Sequence, residues 1–222
     1  MITTVLFDFD GVLVDTGELH TEMTIKAVEE FGMPPDSQFS AGNWDILYEA
    51  LRGSTIPTRD KLLMTKLWTY TQVDHIYAIK KRLTNERIKG RWEWSKRHWD
   101  MMQWLRDRRI KCGVVSNTGT EFMRVILKDL GIHDLFGCIV GNDTRGSMNN
   151  PILGKPHPEP YLTAMALLDV NAWNCLALED SRDGAIAANK AGVAGTLFIT
   201  DPEQLGISTL QPFITHLSRG QQ

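Results

Sequence analysis

Apolar residues recur along this chain in two rhythms, and the switch between them divides it. Five short apolar runs, residues 3–8, 111–116, 137–141, 175–179 and 195–199, close on polar residues or glycine. Runs of that length and composition read as buried strands. Before and between the later four, apolar residues fall at helical spacing. From Ser95 to Arg109, Trp99, Met102 and Leu105 stand at i, i+3 and i+6, a stripe expected to pack in the core rather than to serve as a ligand platform. Phe122, Val125, Ile126 and Leu130 mark a second helix closed by Gly131. Pro158 opens a third, through Tyr161, Ala164 and Leu168, and a short small-sided one runs from Ala185 to Ala191. Strands alternating with helices imply βαβ units, hence an α/β fold with a parallel sheet covered on both faces.

The interval 17–88 breaks that alternation, since it holds no convincing strand. Asp15 and Glu18 form a helix-start signal of the capping-box kind. Leu19, Met23, Ala27 and Phe31 then recur every four residues, and Gly32-Met33-Pro34-Pro35 stops the helix. Ile46-Leu47-Leu51, Leu62-Leu63-Leu67 and Ile76-Ile79-Leu83 suggest three more helices. One crossover needs one helix, so residues 17–88 are expected to be an inserted all-helical domain, with 1–16 and 89–222 forming a discontinuous α/β core. Lys80-Lys81-Arg82 reads as a solvated helix face.

Composition narrows the function classes. With 42% hydrophobic and 23% charged residues and a formal charge of −3, the 222-residue chain has ordinary globular composition and no reason to seek nucleic acid or an acidic membrane. No apolar run approaches the roughly 20 residues of a transmembrane helix. No basic segment precedes the first strand, so a secretory leader is not expected. Cys112, Cys138 and Cys175 each sit at the start of an apolar run without metal-type pairing. They read as small buried hydrophobes suited to a reducing, cytoplasmic setting.

The polar ends of the strands carry the chemistry. The first strand ends on Asp8-Phe9-Asp10-Gly11, and Asp15 follows. Three carboxylates within eight residues repel one another and call for a counter-charge, of which a bound cation is the natural one. Gly11 permits the sharp turn. The second strand ends at Ser116-Asn117-Thr118. Gly154-Lys155-Pro156-His157-Pro158 follows the third, and the fourth ends at Glu179-Asp180-Ser181. Open α/β sheets place their chemistry at these carboxyl ends.

In order and spacing, these segments resemble the four motifs of the haloacid dehalogenase-like hydrolase superfamily. The likeness is narrower to its β-phosphoglucomutase and phosphoglycolate phosphatase branch, which carries a helical cap between the first two strands. It covers nearly the whole chain and implies a Rossmann-like core. Phosphoryl transfer from a monoester needs a nucleophile, charge neutralisation and a proton for the leaving oxygen. Asp8 can supply the nucleophile. Mg²⁺ can sit between Asp8, the Asp10 carbonyl and Asp180, with Glu179 coordinating directly or through water. Lys155, Ser116 and backbone amides near Asn117 can face the phosphate, and the resemblance adds Gly11 to that group. Asp10 remains for acid–base work.

Duller roles stand beside these. Asp15 and Thr16 read as capping or hinge groups, and Ser116 could simply cap the following helix. Asp183 reads as structural, because relatives with a later acid place it where Gly184 stands. His20 matches a position that couples substrate to cap closure in β-phosphoglucomutase-like proteins; a partly buried helix histidine is an equal reading. Arg52, beside Gly53, could meet a second anionic group on the substrate or be a solvated side chain. Two segments depart from the family pattern. Trp92-Glu93-Trp94-Ser95 replaces a usual Pro-Gly turn, and the loop 142–153 is long.

The expected activity is a Mg²⁺-dependent phosphatase acting on a small phosphorylated metabolite, with a phosphomutase as the alternative. Haloacid dehalogenation is disfavoured because Asp10 is present. Phosphonate cleavage would need a Schiff-base lysine that neither Lys61 nor Lys66 is placed to supply. A non-catalytic phosphate-binding role is disfavoured because the full set of acids and the lysine is retained. Substrate identity and oligomeric state are left open.

Overall fold

Parallel strand pairing brings the polar ends of the apolar runs together. The structure, a computed structural model, describes residues 1–32, 47, 58–145 and 152–214. The chain runs β1 (Thr4–Phe7), α1 (Gly17–Phe31), α2 (Thr58–Met64), α3 (Tyr70–Arg87) and α4 (Lys96–Asp107). It continues through β2 (Lys111–Val115), α5 (Thr120–Asp129), β3 (Cys138–Val140), α6 (Glu159–Leu168), β4 (Cys175–Glu179), α7 (Arg182–Lys190), β5 (Gly195–Phe198) and α8 (Ile207–Leu210). All strand pairs are parallel, in the order β3-β2-β1-β4-β5. The five strands fall on the five apolar runs, as expected. Contacts divide the chain into two compact units, Met1–Asp15 with Lys89–Gln222, and Thr16–Ile88. Among the described residues no helix is long and apolar enough to cross a membrane.

In the α/β unit, β1 is central and wholly buried. Side chains alternate across a strand. Leu6 joins one face, where Cys138 and Ala177 pack with Tyr161, Ala164 and Leu168 of α6 and Ala187 of α7. Phe7 points the other way and meets Phe136 edge-on at 5.8 Å. A fully buried leucine or phenylalanine here contributes roughly 1.5–3 kcal/mol. The expected α4 stripe is corrected: Met102 and Leu105 are buried, but Trp99 is 41% exposed. At about 100° per residue, positions i and i+6 lie about 120° apart, so steps of three drift off the buried face. Helix α7 starts earlier than expected, at Arg182, because the Ser181 side chain accepts the Gly184 N–H at 3.1 Å.

In the helical unit, Ala27 and Val28 of α1 share a core with Leu47, Leu62, Val73 and Ile76. Helix α1 starts one residue later than the signal at Asp15 and Glu18 suggests. Thr16 is the N-cap at φ −103° and ψ 1°, not extended, and its side chain makes no capping hydrogen bond. A capping box does open α3, between Thr69 and Gln72. The Lys80-Lys81-Arg82 face is also corrected. Lys80 is only 7% exposed, whereas Arg82 is exposed and reaches Glu30 at 2.6 Å. Successive helical residues point about 100° apart, so a charge run need not lie on one face. Of the four expected helices, the one at Ile46-Leu47-Leu51 lies mostly outside the described residues; Leu47 is helical and buried.

Candidate active site

Register sets the site. Phe7 pairs with Leu178 and with Val114, so the next residues, Asp8, Glu179 and Val115, stand level at the carboxyl edge, with Ser116 one step beyond. Asp8 is tied there by its N–H, which donates to the Leu178 carbonyl at 2.9 Å. Lys155, from the loop before α6, places its Nζ 2.6 Å from Asp8 Oδ1 and 2.5 Å from Glu179 Oε1. All three groups are buried.

The lysine loop is fixed from β2. The Asn117 side chain accepts the Lys155 N–H at 2.8 Å and donates to the Lys155 carbonyl at 3.1 Å. A Cβ at Gly154 would come within 2.7 Å of Asn117 Oδ1, so glycine permits the approach. Ser116 Oγ accepts the Thr118 N–H at 3.3 Å, which leaves its own O–H free to donate. Gly11 has φ +76°, and a Cβ there would lie 2.2 Å from Asp180 Oδ2. Its N–H donates to the Val14 carbonyl at 2.7 Å. Gly11 therefore shapes the turn and makes room for Asp180.

Charge is unbalanced here. Ligand oxygens of Asp8, Glu179 and Asp180 all lie within 4.8 Å of one another. Within this cluster of described residues, three carboxylates face the Lys155 ammonium, a surplus that a divalent cation offsets. Burial, then the Asp8 charge, pushes the Glu179 carboxyl up to about 7 and the Asp180 carboxyl up to about 6. Burial alone would favour a neutral Lys155, but the Asp8 and Glu179 charges outweigh it and hold the amine above its ordinary range. The all-oxygen donor set fits a hard cation such as Mg²⁺.

Pattern reading missed Tyr161 as a site residue. It stands on α6, is wholly buried, and donates its hydroxyl to Glu179 Oε1. The available signal was a tyrosine on an apolar stripe, since a buried phenol needs a partner. Asp183 lies in the first turn of α7, outside the acidic cluster. Asp10 is partly buried and bridges to Val14. Trp92 and Trp94, where the family's turn is missing, donate their indole N–H groups to the carbonyls of Asp15 and Leu13 at 2.9 and 3.2 Å. In the loop 142–153, Asp143 accepts the Thr120 N–H at 2.8 Å. In the helical unit, burial and then the Lys80 charge push the His20 imidazole down to about 4, so it is neutral at pH 7. Arg52 lies outside the described residues.

Residues 5–197 match the family model described as haloacid dehalogenase-like hydrolase. The chain belongs to this family. Its relatives among the haloacid dehalogenase-like hydrolases include the phosphorylated carbohydrates phosphatase of Thermotoga maritima, 28% identical over 85% of this chain and 81% of that protein. The β-phosphoglucomutase of Bacillus subtilis is also 28% identical, over 85% of this chain and 80% of its own. CbbY from Rhodobacter sphaeroides, solved in complex with phosphate, shares the fold at a TM-score of 0.68 and 21% identity. That match covers 95% of this chain and 99% of the other.

Proposed function

We propose that this haloacid dehalogenase-like hydrolase is a Mg²⁺-dependent phosphatase of small phosphorylated metabolites, of the sugar-phosphate class, working through an aspartyl-phosphate on Asp8. The observation that carries this reading is the buried Lys155 ammonium held between Asp8 and Glu179, with Asp180 alongside. An anionic nucleophile must approach an anionic ester, and this cluster is built around charge compensation. Asp8 and Asp180 would hold Mg²⁺, with Glu179 adjacent; when bound, the cation supplies positive charge to the transferring phosphoryl group.

The chain's own groups do the rest. An Asp8 oxygen attacks phosphorus, the bond from phosphorus to the ester oxygen breaks, and Asp10 gives the leaving alkoxide a proton. Asp10 then takes a proton from water as the water oxygen attacks phosphorus. The bond to Asp8 breaks and inorganic phosphate departs. Lys155 and the Ser116 hydroxyl offer donors to the phosphoryl oxygens. The inserted helical unit takes the role of cap, with His20 and Arg52 as its candidates for contacting substrate. Three free, buried cysteines suit a cytoplasmic setting.

Release of phosphate from an aryl phosphate, with Mg²⁺ or with EDTA, tests this reading, followed by a panel of sugar phosphates. Turnover that needs metal and disappears in Asp8→Asn supports it. Turnover indifferent to both would overturn it. Conversion of a hexose 1-phosphate to the 6-phosphate, primed by bisphosphate, would identify a phosphomutase instead.

A further inference from the structure

Glu179 is fully buried, and its carboxylate is enclosed by named groups. Oε1 accepts from Lys155 Nζ at 2.5 Å and from the Tyr161 hydroxyl. Oε2 lies 3.4 Å from Ser181 Oγ, and a Cβ at Gly184 would stand 1.8 Å from it. The glycine is thus what lets the carboxylate lie against the first turn of α7. The Tyr161 ring fills core space on α6 and comes within 5.4 Å of Lys155 Nζ. A phenylalanine would fill nearly the same space, so packing does not account for the hydroxyl.

We propose that Tyr161 is a positioning residue. Its hydroxyl keeps Glu179 Oε1 on Lys155, so that Glu179 serves as the lysine's counter-ion while Asp8 and Asp180 hold the cation. An ammonium has three N–H donors. With two engaged by Asp8 and Glu179, the lysine stays between the carboxylates and one donor remains for a phosphoryl oxygen. If the phenol is removed, Oε1 keeps a single partner and the Glu179 side chain gains freedom. The ammonium can then settle on Asp8 alone, where it blunts the nucleophile and competes with the cation.

The inference rests on the phosphatase reading for its kinetic arm; its metal-binding arm does not. Tyr161→Phe is compared with wild type by calorimetric titration with Mg²⁺ alone and by aryl-phosphate kinetics. The expected result is a roughly ten-fold weaker Mg²⁺ affinity and a roughly ten-fold lower kcat, with KM for the ester little changed. In a Glu179→Gln background the same substitution should change neither quantity further. Glu179→Gln alone should weaken Mg²⁺ binding about as much as Tyr161→Phe does, whereas Asp180→Asn should abolish it. Wild-type affinity and kcat in Tyr161→Phe would overturn the proposal. So would an undiminished effect in the Glu179→Gln background, or loss of Mg²⁺ binding in Glu179→Gln as complete as in Asp180→Asn. A wild-type protein without turnover sinks the phosphatase reading alone, and the calorimetry still decides the role of Tyr161.

Discussion

Asn117 grips Lys155 by both of its main-chain polar groups, accepting the N–H at 2.8 Å and donating to the carbonyl at 3.1 Å. The end of β2 thereby sets where the lysine side chain starts, and the Asp8 and Glu179 carboxylates set where it ends. Asn117→Ala removes both bonds and leaves two main-chain groups to find water. It should cost about 1–3 kcal/mol in urea unfolding and lower kcat/KM on an aryl phosphate by roughly a hundred-fold. Wild-type kinetics in a folded Asn117→Ala would show that the lysine loop holds itself.

Gly184, inside α7, and Gly32, just past the end of α1, should both lose stability on substitution by alanine, for different reasons. Alanine in place of a helical glycine ordinarily stabilises by about 1 kcal/mol. At Gly184 the new Cβ meets a Glu179 carboxylate that is pinned by Lys155 and Tyr161, so Gly184→Ala should destabilise by about 3 kcal/mol or more. At Gly32, φ is +89° and no described residue lies within 4 Å of the added atom, so backbone strain of about 1–2 kcal/mol is expected. Urea denaturation of the two variants checks the ranking.

His20 predicts a pH dependence. Its imidazole titrates near 6.5 in an unfolded chain and about 4 in the folded one. Between those values the unfolded state binds more protons, so stability is full above the upper value and falls as the pH drops through the window. The loss should reach about 2–3 kcal/mol by pH 4, allowing for the residual exposure of the ring. His20→Gln should flatten the curve between pH 6.5 and 5. An unchanged slope in that variant would contradict the assignment.

Divalent metal should stabilise the protein, because three carboxylates face one ammonium. At a hundred-fold excess over Kd, Mg²⁺ should add about 2.7 kcal/mol. The thermal transition should rise with Mg²⁺ in wild type and stay flat in Asp180→Asn.

The four strand ends were legible because an apolar run and its polar terminus are local features, and the parallel register does the rest. For Tyr161 the spacing marks only a place on a helix, since periodicity reports which way a residue faces and not which atom its hydroxyl reaches. At Lys80 a run of charges suggests a solvated face, but helix rotation buries one member. Trp99 shows the converse: spacing by threes suggests a buried stripe, but helix rotation carries one member out to solvent. The pair of hydrogen bonds between Asn117 and Lys155 joins residues far apart in sequence, and no local pattern encodes it.

The most direct measurement is acid-quenched single turnover with a ³²P-labelled sugar phosphate, followed by peptide mapping of the trapped protein. Transient, base-labile label on the peptide containing Asp8, formed only with Mg²⁺ and absent from Asp8→Asn, is the predicted result. Full turnover with no labelled protein at any quench time, or label on a peptide lacking Asp8, would contradict it.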